Sequence, residues 1–119
     1  MNRSKSFRDL IVWKKAHQLV LEIYKITTQL PSEERFGIIS QIRRRASSVH
    51  ANIVEGFARS SKREKRRVYY IANATLEETR YFLILINDLN YINSEILEKQ
   101  LKEVSKILNS YIKKLELSI

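Results

Sequence analysis

At 119 residues, with 44% hydrophobic and 29% charged side chains, the chain is long enough for one buried core and too short for two. Cysteine is absent, which excludes disulfides and thiolate metal sites, and no run of about 18 uncharged apolar residues exists to span a membrane. The N-terminus lacks the apolar stretch of a signal peptide, so a cytoplasmic location is expected, and a net charge of +9 points to polyanionic partners.

Two glycines and one proline leave little room for hairpins and favour long helices. The first helix is expected over 10–28, with Trp13, Ala16, Val20, Ile23 and Thr27 on one stripe and Ser6 and Asp9 as a capping box. Pro31 in "LPSEERFG" breaks it. The second is expected over 38–58, where Ile38, Ile42, Ala46, Val49, Ile53 and Phe57 recur at spacings of 4, 4, 3, 4 and 4. "RSSK" is the next turn, with Ser60 or Ser61 as N-cap. The third runs over 62–89 with Val68, Ala72, Thr75, Thr79, Phe82, Ile86 and Leu89 inward; "NYINSE" ends it, and Asn93 or Ser94 caps the fourth. There Leu97, Leu101, Val104, Leu108, Tyr111 and Leu115 form a seam. Alternating spacings of three and four with short connections predict one domain over 1–119, an all-α, up-down antiparallel four-helix bundle. Val12, Leu19, Tyr70, Tyr81 and Leu85 lie outside the main stripes, a surplus that suggests a second buried face and self-association.

Charge is unevenly spread. Residues 43–67 hold nine basic side chains against two acidic ones, whereas 1–42 hold seven against four and 76–119 six against seven. On the second helix Gln41, Arg45, Ser48, Asn52, Glu55 and Arg59 make a polar stripe beside the apolar one. Folding the second and third helices about Ser60–Ser61 sets position n roughly opposite 121 − n. Arg44 then faces Glu77, Arg43 faces Glu78 and Glu55 faces Arg66, so Arg43 or Arg44 is assigned a structural role. The cluster Arg59, Lys62, Arg63, Lys65, Arg66 and Arg67 resists this account, because cations in a first helical turn oppose the positive end of the helix dipole. An anionic partner is the expectation for these six, with Tyr69 and Tyr70 placed to stack on single-stranded RNA. No motif that reads base sequence is present, so the recognition is expected to be mainly electrostatic.

No HExxH, P-loop or nucleotide-binding glycine pattern occurs, and no metal or cofactor is expected. Arg45 and His50 have the Arg-x4-His spacing of HEPN ribonucleases, but five residues of regular helix rotate about 140°, which turns the two side chains apart. A non-enzymatic protein is therefore expected, with a HEPN-like ribonuclease using Arg45 and His50 as an alternative.

Three blocks, "FRDLIVWKKA", "QIRRRASSVHANIVEGFARSSKRE" and "IANATLEE", resemble the four-helix bundle proteins encoded by 23S rRNA intervening sequences. They are also similar to the accessory variability determinants of diversity-generating retroelements. The likeness runs from Phe7 to the "LNYI" at 89–92, and NIVEG is its most specific part. The family pattern Q-x-R-R-A-x-x-S-x-P-x-N-I-A-E-G is carried by Gln41, Arg44, Arg45, Ala46, Asn52, Ile53, Glu55 and Gly56, with Arg43–Arg44 as the other alignment of the arginine pair. His50 stands where proline is common, Val54 where alanine is, Ala74 and Thr75 where Gly-Ser is usual, and Lys65 where an aromatic is usual. The resemblance implies a homopentameric barrel with a basic surface suited to nucleic acid. In the retroelement branch it implies a reverse transcriptase and its template RNA as partners. It further implies that Gln41, Arg44, Arg45, Asn52, Glu55 and Gly56 lie at structural or subunit contacts, with Gly56 permitting a close helix approach or a helix end.

Overall fold

The computed structural model describes residues 6–119. After a 3-10 turn at Phe7–Asp9 come α1 (Ile11–Thr27), a 3-10 turn at Ser32–Glu34, a π-helical stretch at Arg35–Ile39 kinked at Gly37, α2 (Ser40–Ala58), α3 (Lys62–Asp88) and α4 (Glu95–Leu117). All four expected helices form, with both ends of the first three and the start of the fourth within two residues of their expected positions. The Ser6–Asp9 capping box also forms, but it closes the 3-10 turn; α1 begins later, with Leu10 at its N-cap and no side-chain bond there.

The ends of the helices follow from local chemistry. Ser61 caps α3, its hydroxyl accepting from the Glu64 amide at 3.1 Å. At the far end of α3, Asn90 takes a left-handed φ of 60°. That conformation lets the Asn90 amide reach the Asn87 carbonyl at 3.0 Å and the Tyr91 amide reach the Ile86 carbonyl at 3.1 Å, the Schellman arrangement built on asparagine instead of glycine. Asn93 starts α4 by accepting from the Glu95 amide, while the buried Ser94 hydroxyl donates to the Leu83 carbonyl at 2.7 Å and ties α4 to α3.

The core runs the length of the bundle and corrects several expected stripes. On α1 it is Val12 and Leu19 that are buried; Trp13 and Val20 are half-buried beside them. On α3 Val68, Ala72, Thr79 and Ile86 are buried as expected and Tyr69, Leu76 and Leu83 join them, while Thr75 and Phe82 are half-buried and Leu89 is exposed. On α4 Ile112 is buried while Tyr111 and Leu115 are partly so. The cause is the same each time. Neighbouring apolar residues give two nearly equivalent stripes about 100° apart, and only docking against the other helices selects one. Of the five surplus apolar residues, Val12 and Leu19 belong to the bundle's own core and Leu85 packs on it; Tyr70 and Tyr81 stay exposed.

The bundle is elongated, 47 × 23 × 21 Å. Up-down order puts the start of α1, the end of α2, the start of α3 and the end of α4 at one end. Among the described residues, no helix is long and apolar enough to cross a membrane.

Candidate nucleic-acid interface

The turn between α2 and α3 carries the six cations expected to meet an anion, and the structure divides them. Arg59 is ion-paired with Glu55, one helical turn back, and Arg67 with Glu64 at 3.1 Å. Lys65 has a different task. Its ammonium donates to the Phe57 carbonyl at 2.6 Å and the Gly56 carbonyl at 3.3 Å and lies 5.5 Å from the Phe57 ring centre. It therefore caps the negative C-terminal end of α2, which is a stabilising position for a cation and corrects the expectation that this lysine only opposes a helix dipole. Burial lowers its pKa from the ordinary lysine value. Lys62, Arg63 and Arg66 make no hydrogen bond or ion pair within the described residues, and Lys62 and Arg63 are exposed. These three are the cations left for a ligand.

The arginine triplet is sorted in the same way. Arg43 donates to the Thr27 hydroxyl at 2.9 Å and to the Tyr24 carbonyl at 3.1 Å, and its guanidinium lies 4.7 Å from the Tyr24 ring centre. It closes the C-terminal end of α1, so its role is structural but its partner is not Glu78. Glu78 is bound by Arg45 at 3.0 Å, two residues out of the expected register. Side chains tilt toward the N-terminus of their own helix, so those of α2 lean away from the turn and those of α3 toward it; Arg45 therefore meets a residue further along α3 than the count from the turn gives. With both groups partly in water, the pair contributes about 0–1 kcal/mol. Arg44 is exposed and unpaired, Glu77 pairs with Arg80, and Glu55 pairs with Arg59 instead of Arg66. Gln41, Ser48 and Asn52 are half-buried with no hydrogen bond to their side chains within the described residues.

Gly56 is a point of close approach between α2 and α3. A Cβ on it would sit 2.5 Å from the Tyr69 ring, which is only 4% exposed. Tyr69 is thus a core residue, and burial, with some help from Tyr111, raises its pKa to about 12. Tyr70 points outward, and desolvation first and the nearby Glu116 carboxylate of α4 second raise its pKa above the ordinary tyrosine value.

Arg45 and His50 do not converge. Arg45 faces Glu78 and Phe82 of α3, whereas His50 packs against Trp13 at 5.0 Å and His17 at 5.3 Å on α1. Phe7 and Arg8 complete this cluster on the other side of Trp13. The His50 Nε2 and Trp13 Nε1 atoms are buried without a hydrogen-bond partner. Burial first, and the neighbouring His17 second, lower the His50 pKa below 6.5. A histidine that is harder to protonate when folded lets the unfolded chain take up more protons. Its contribution to stability is therefore complete above about pH 6.5 and is lost as pH falls through the folded value. The expected result is a denaturation midpoint that drops between about pH 7.5 and pH 5, with a smaller drop in His50→Gln. An equal drop in both proteins would show that His50 is not the group involved. No set of three or more His, Cys, Asp or Glu side chains that could hold a metal ion occurs among the described residues.

The model of the 23S rRNA-intervening sequence proteins matches residues 8–110. The chain belongs to that family. A crystal structure of a protein of unknown function from the S23 ribosomal protein family of Bacteroides thetaiotaomicron is similar to it over 87% of this chain and 96% of the other. Identity is 29% and the TM-score 0.80. No curated protein matches.

In this intervening-sequence protein, two of the three blocks that carry the family likeness have a clear packing reason. "FRDLIVW" supplies the Phe7–Arg8–Trp13 cluster, which joins the 3-10 turn to α1. "NIVEG" supplies the buried Ile53, the Glu55 that holds Arg59, and the glycine under Tyr69. Two cations went unnoticed in the sequence: Lys113 and Lys114, near the C-terminal end of α4, are exposed at the same end of the bundle as the basic turn. Their signal was present in the up-down order, which returns the last turns of α4 to the α2–α3 connection.

Proposed function

We propose that this protein is a non-enzymatic, oligomeric accessory protein of the cytoplasm that binds RNA through the cationic end of its bundle. The observation that carries the reading is that Lys62, Arg63 and Arg66, which make no hydrogen bond or ion pair within the described residues, share one end of the bundle with Lys113 and Lys114 from a distant segment. Cations that stabilise nothing inside the molecule and share one end of it form an electrostatic footprint for a phosphate backbone. The two acidic residues of the turn are held by Arg59 and Arg67 and subtract little from this field.

Self-association is supported by what the core leaves over. Tyr70 and Tyr81 are eleven residues apart, about 20° on the helix, and form one exposed aromatic face of α3. Gln41, Ser48 and Asn52 offer half-buried polar groups for hydrogen bonds across a subunit contact, in keeping with the pentameric barrel that the family resemblance implies.

Light-scattering mass, measured alone and with a structured rRNA fragment at two salt concentrations, tests both parts. The expected result is a mass of several chains, near five, that rises with RNA and reverts at high salt. A mass indifferent to RNA at low salt would overturn the RNA reading. It would leave a scaffold for a protein partner such as a reverse transcriptase, to which the exposed Tyr70 and Tyr81 are equally suited.

A further inference from the structure

The cationic end of the bundle is not only charged. Between the start of α1 and the C-terminal turns of α4 lies an open groove of about 380 Å³, lined by Leu10, Lys65, Tyr69, Tyr111, Lys114 and Leu115. Its floor is the Tyr69–Tyr111 pair, ring centres 6.4 Å apart and inclined at 68°. Leu10 and Leu115 add aliphatic surface, and the lining also includes two lysines, Lys65 and Lys114, in a mostly apolar hollow.

A groove of this composition is complementary to a flat apolar body with a negative charge attached. An unstacked nucleobase and its phosphodiester fit that description, the ring system against Tyr111 and the aliphatic residues, the phosphate toward Lys114. Lys65 lines the same space, but the carbonyls at the end of α2 hold its ammonium, so Lys114 is the cation left for the phosphate. Duplex RNA keeps its bases stacked and paired and has none to offer. We propose that this groove takes a single extruded base, so that the protein prefers unpaired RNA to a duplex of the same length. The inference rests on the RNA-binding reading above and adds to it a preference that electrostatics alone does not give.

The test compares a single-stranded RNA of about 12 nucleotides with the corresponding duplex, each bound to the full chain in its native oligomeric state at one salt concentration. A second single strand carries 2-aminopurine at its centre. Wild-type protein is expected to bind the single strand about tenfold more tightly and to change the 2-aminopurine fluorescence. Tyr111→Leu, which keeps an apolar side chain but removes the stacking ring, is expected to weaken single-strand binding about tenfold while leaving the duplex affinity unchanged. The fluorescence measurement on unaltered protein needs no variant and keeps the test open should Tyr111→Leu fail to fold. Equal affinity for the two forms with no fluorescence change would overturn the base site and leave the electrostatic reading standing. Binding of neither RNA would overturn both. Displacement of the bound single strand by a saturated fatty acid, with no fluorescence response from the 2-aminopurine, would assign the groove to an amphipathic anion and overturn the base site as well.

Discussion

Replacing Lys62, Arg63 and Arg66 together by glutamine is expected to weaken RNA binding about 100-fold at about 0.1 M salt. The slope of log affinity against log salt should fall by about 2 to 3, because each phosphate contact contributes roughly 0.7–0.9 to it. Fold and thermal stability should change little, since none of the three is hydrogen-bonded or ion-paired inside the molecule. The choice of residues comes from the geometry. Arg59, Lys65 and Arg67 carry the same charge but are already committed to Glu55, to the end of α2 and to Glu64. A matched loss of three charges at Lys99, Lys102 and Lys106 on α4 supplies the control, and its affinity should stay near wild type. Equal weakening in both triple variants would mean that net charge, and not this end of the bundle, determines binding.

Gly56→Ala is expected to destabilise the protein by about 1–2 kcal/mol. Alanine ordinarily favours a helix over glycine by about 1 kcal/mol, so the opposite sign is the informative outcome. Here the added methyl would lie 2.5 Å from the Tyr69 ring, which is buried and has little room to withdraw. Overpacking of this kind costs about 1–3 kcal/mol and outweighs the gain in propensity. A double-mutant cycle with Tyr69→Ala checks the cause: with the ring gone, the alanine at 56 should become neutral or stabilising. If Gly56→Ala stabilises the protein outright, the close approach of α2 and α3 at this point does not constrain the fold. Because Tyr69 also floors the groove, Gly56→Ala should disturb the proposed base site as well.

Some of this was legible from residue order. The four helices are dictated by apolar spacing and by scarce glycine and proline, and the Ser61 cap by the rule that a hydroxyl satisfies a free amide of the first turn. Which of two adjacent stripes turns inward was not legible, because Trp13 and Val12, or Phe82 and Leu83, are about equally apolar. The pairing of Arg45 with Glu78 depends on side-chain tilt, which a count of residues from the turn ignores. Arg43 illustrates the same limit. Its partners are a hydroxyl and a carbonyl on α1, and a backbone carbonyl leaves no mark in the amino-acid sequence.

The sequence by itself determined the all-α class, the four helices and their antiparallel order, the excess of positive charge over 43–67, and the likeness to the 23S rRNA-intervening sequence proteins. These rest on periodicity, composition and local motifs, which are properties of neighbours along the chain. Only the tertiary structure decided which cations are free, that Lys113 and Lys114 join them, and that Leu10, Tyr69 and Tyr111 enclose a groove beside them. The physical reason is that a charge is spent or available according to what lies within a few ångströms of it, and those neighbours come from other helices.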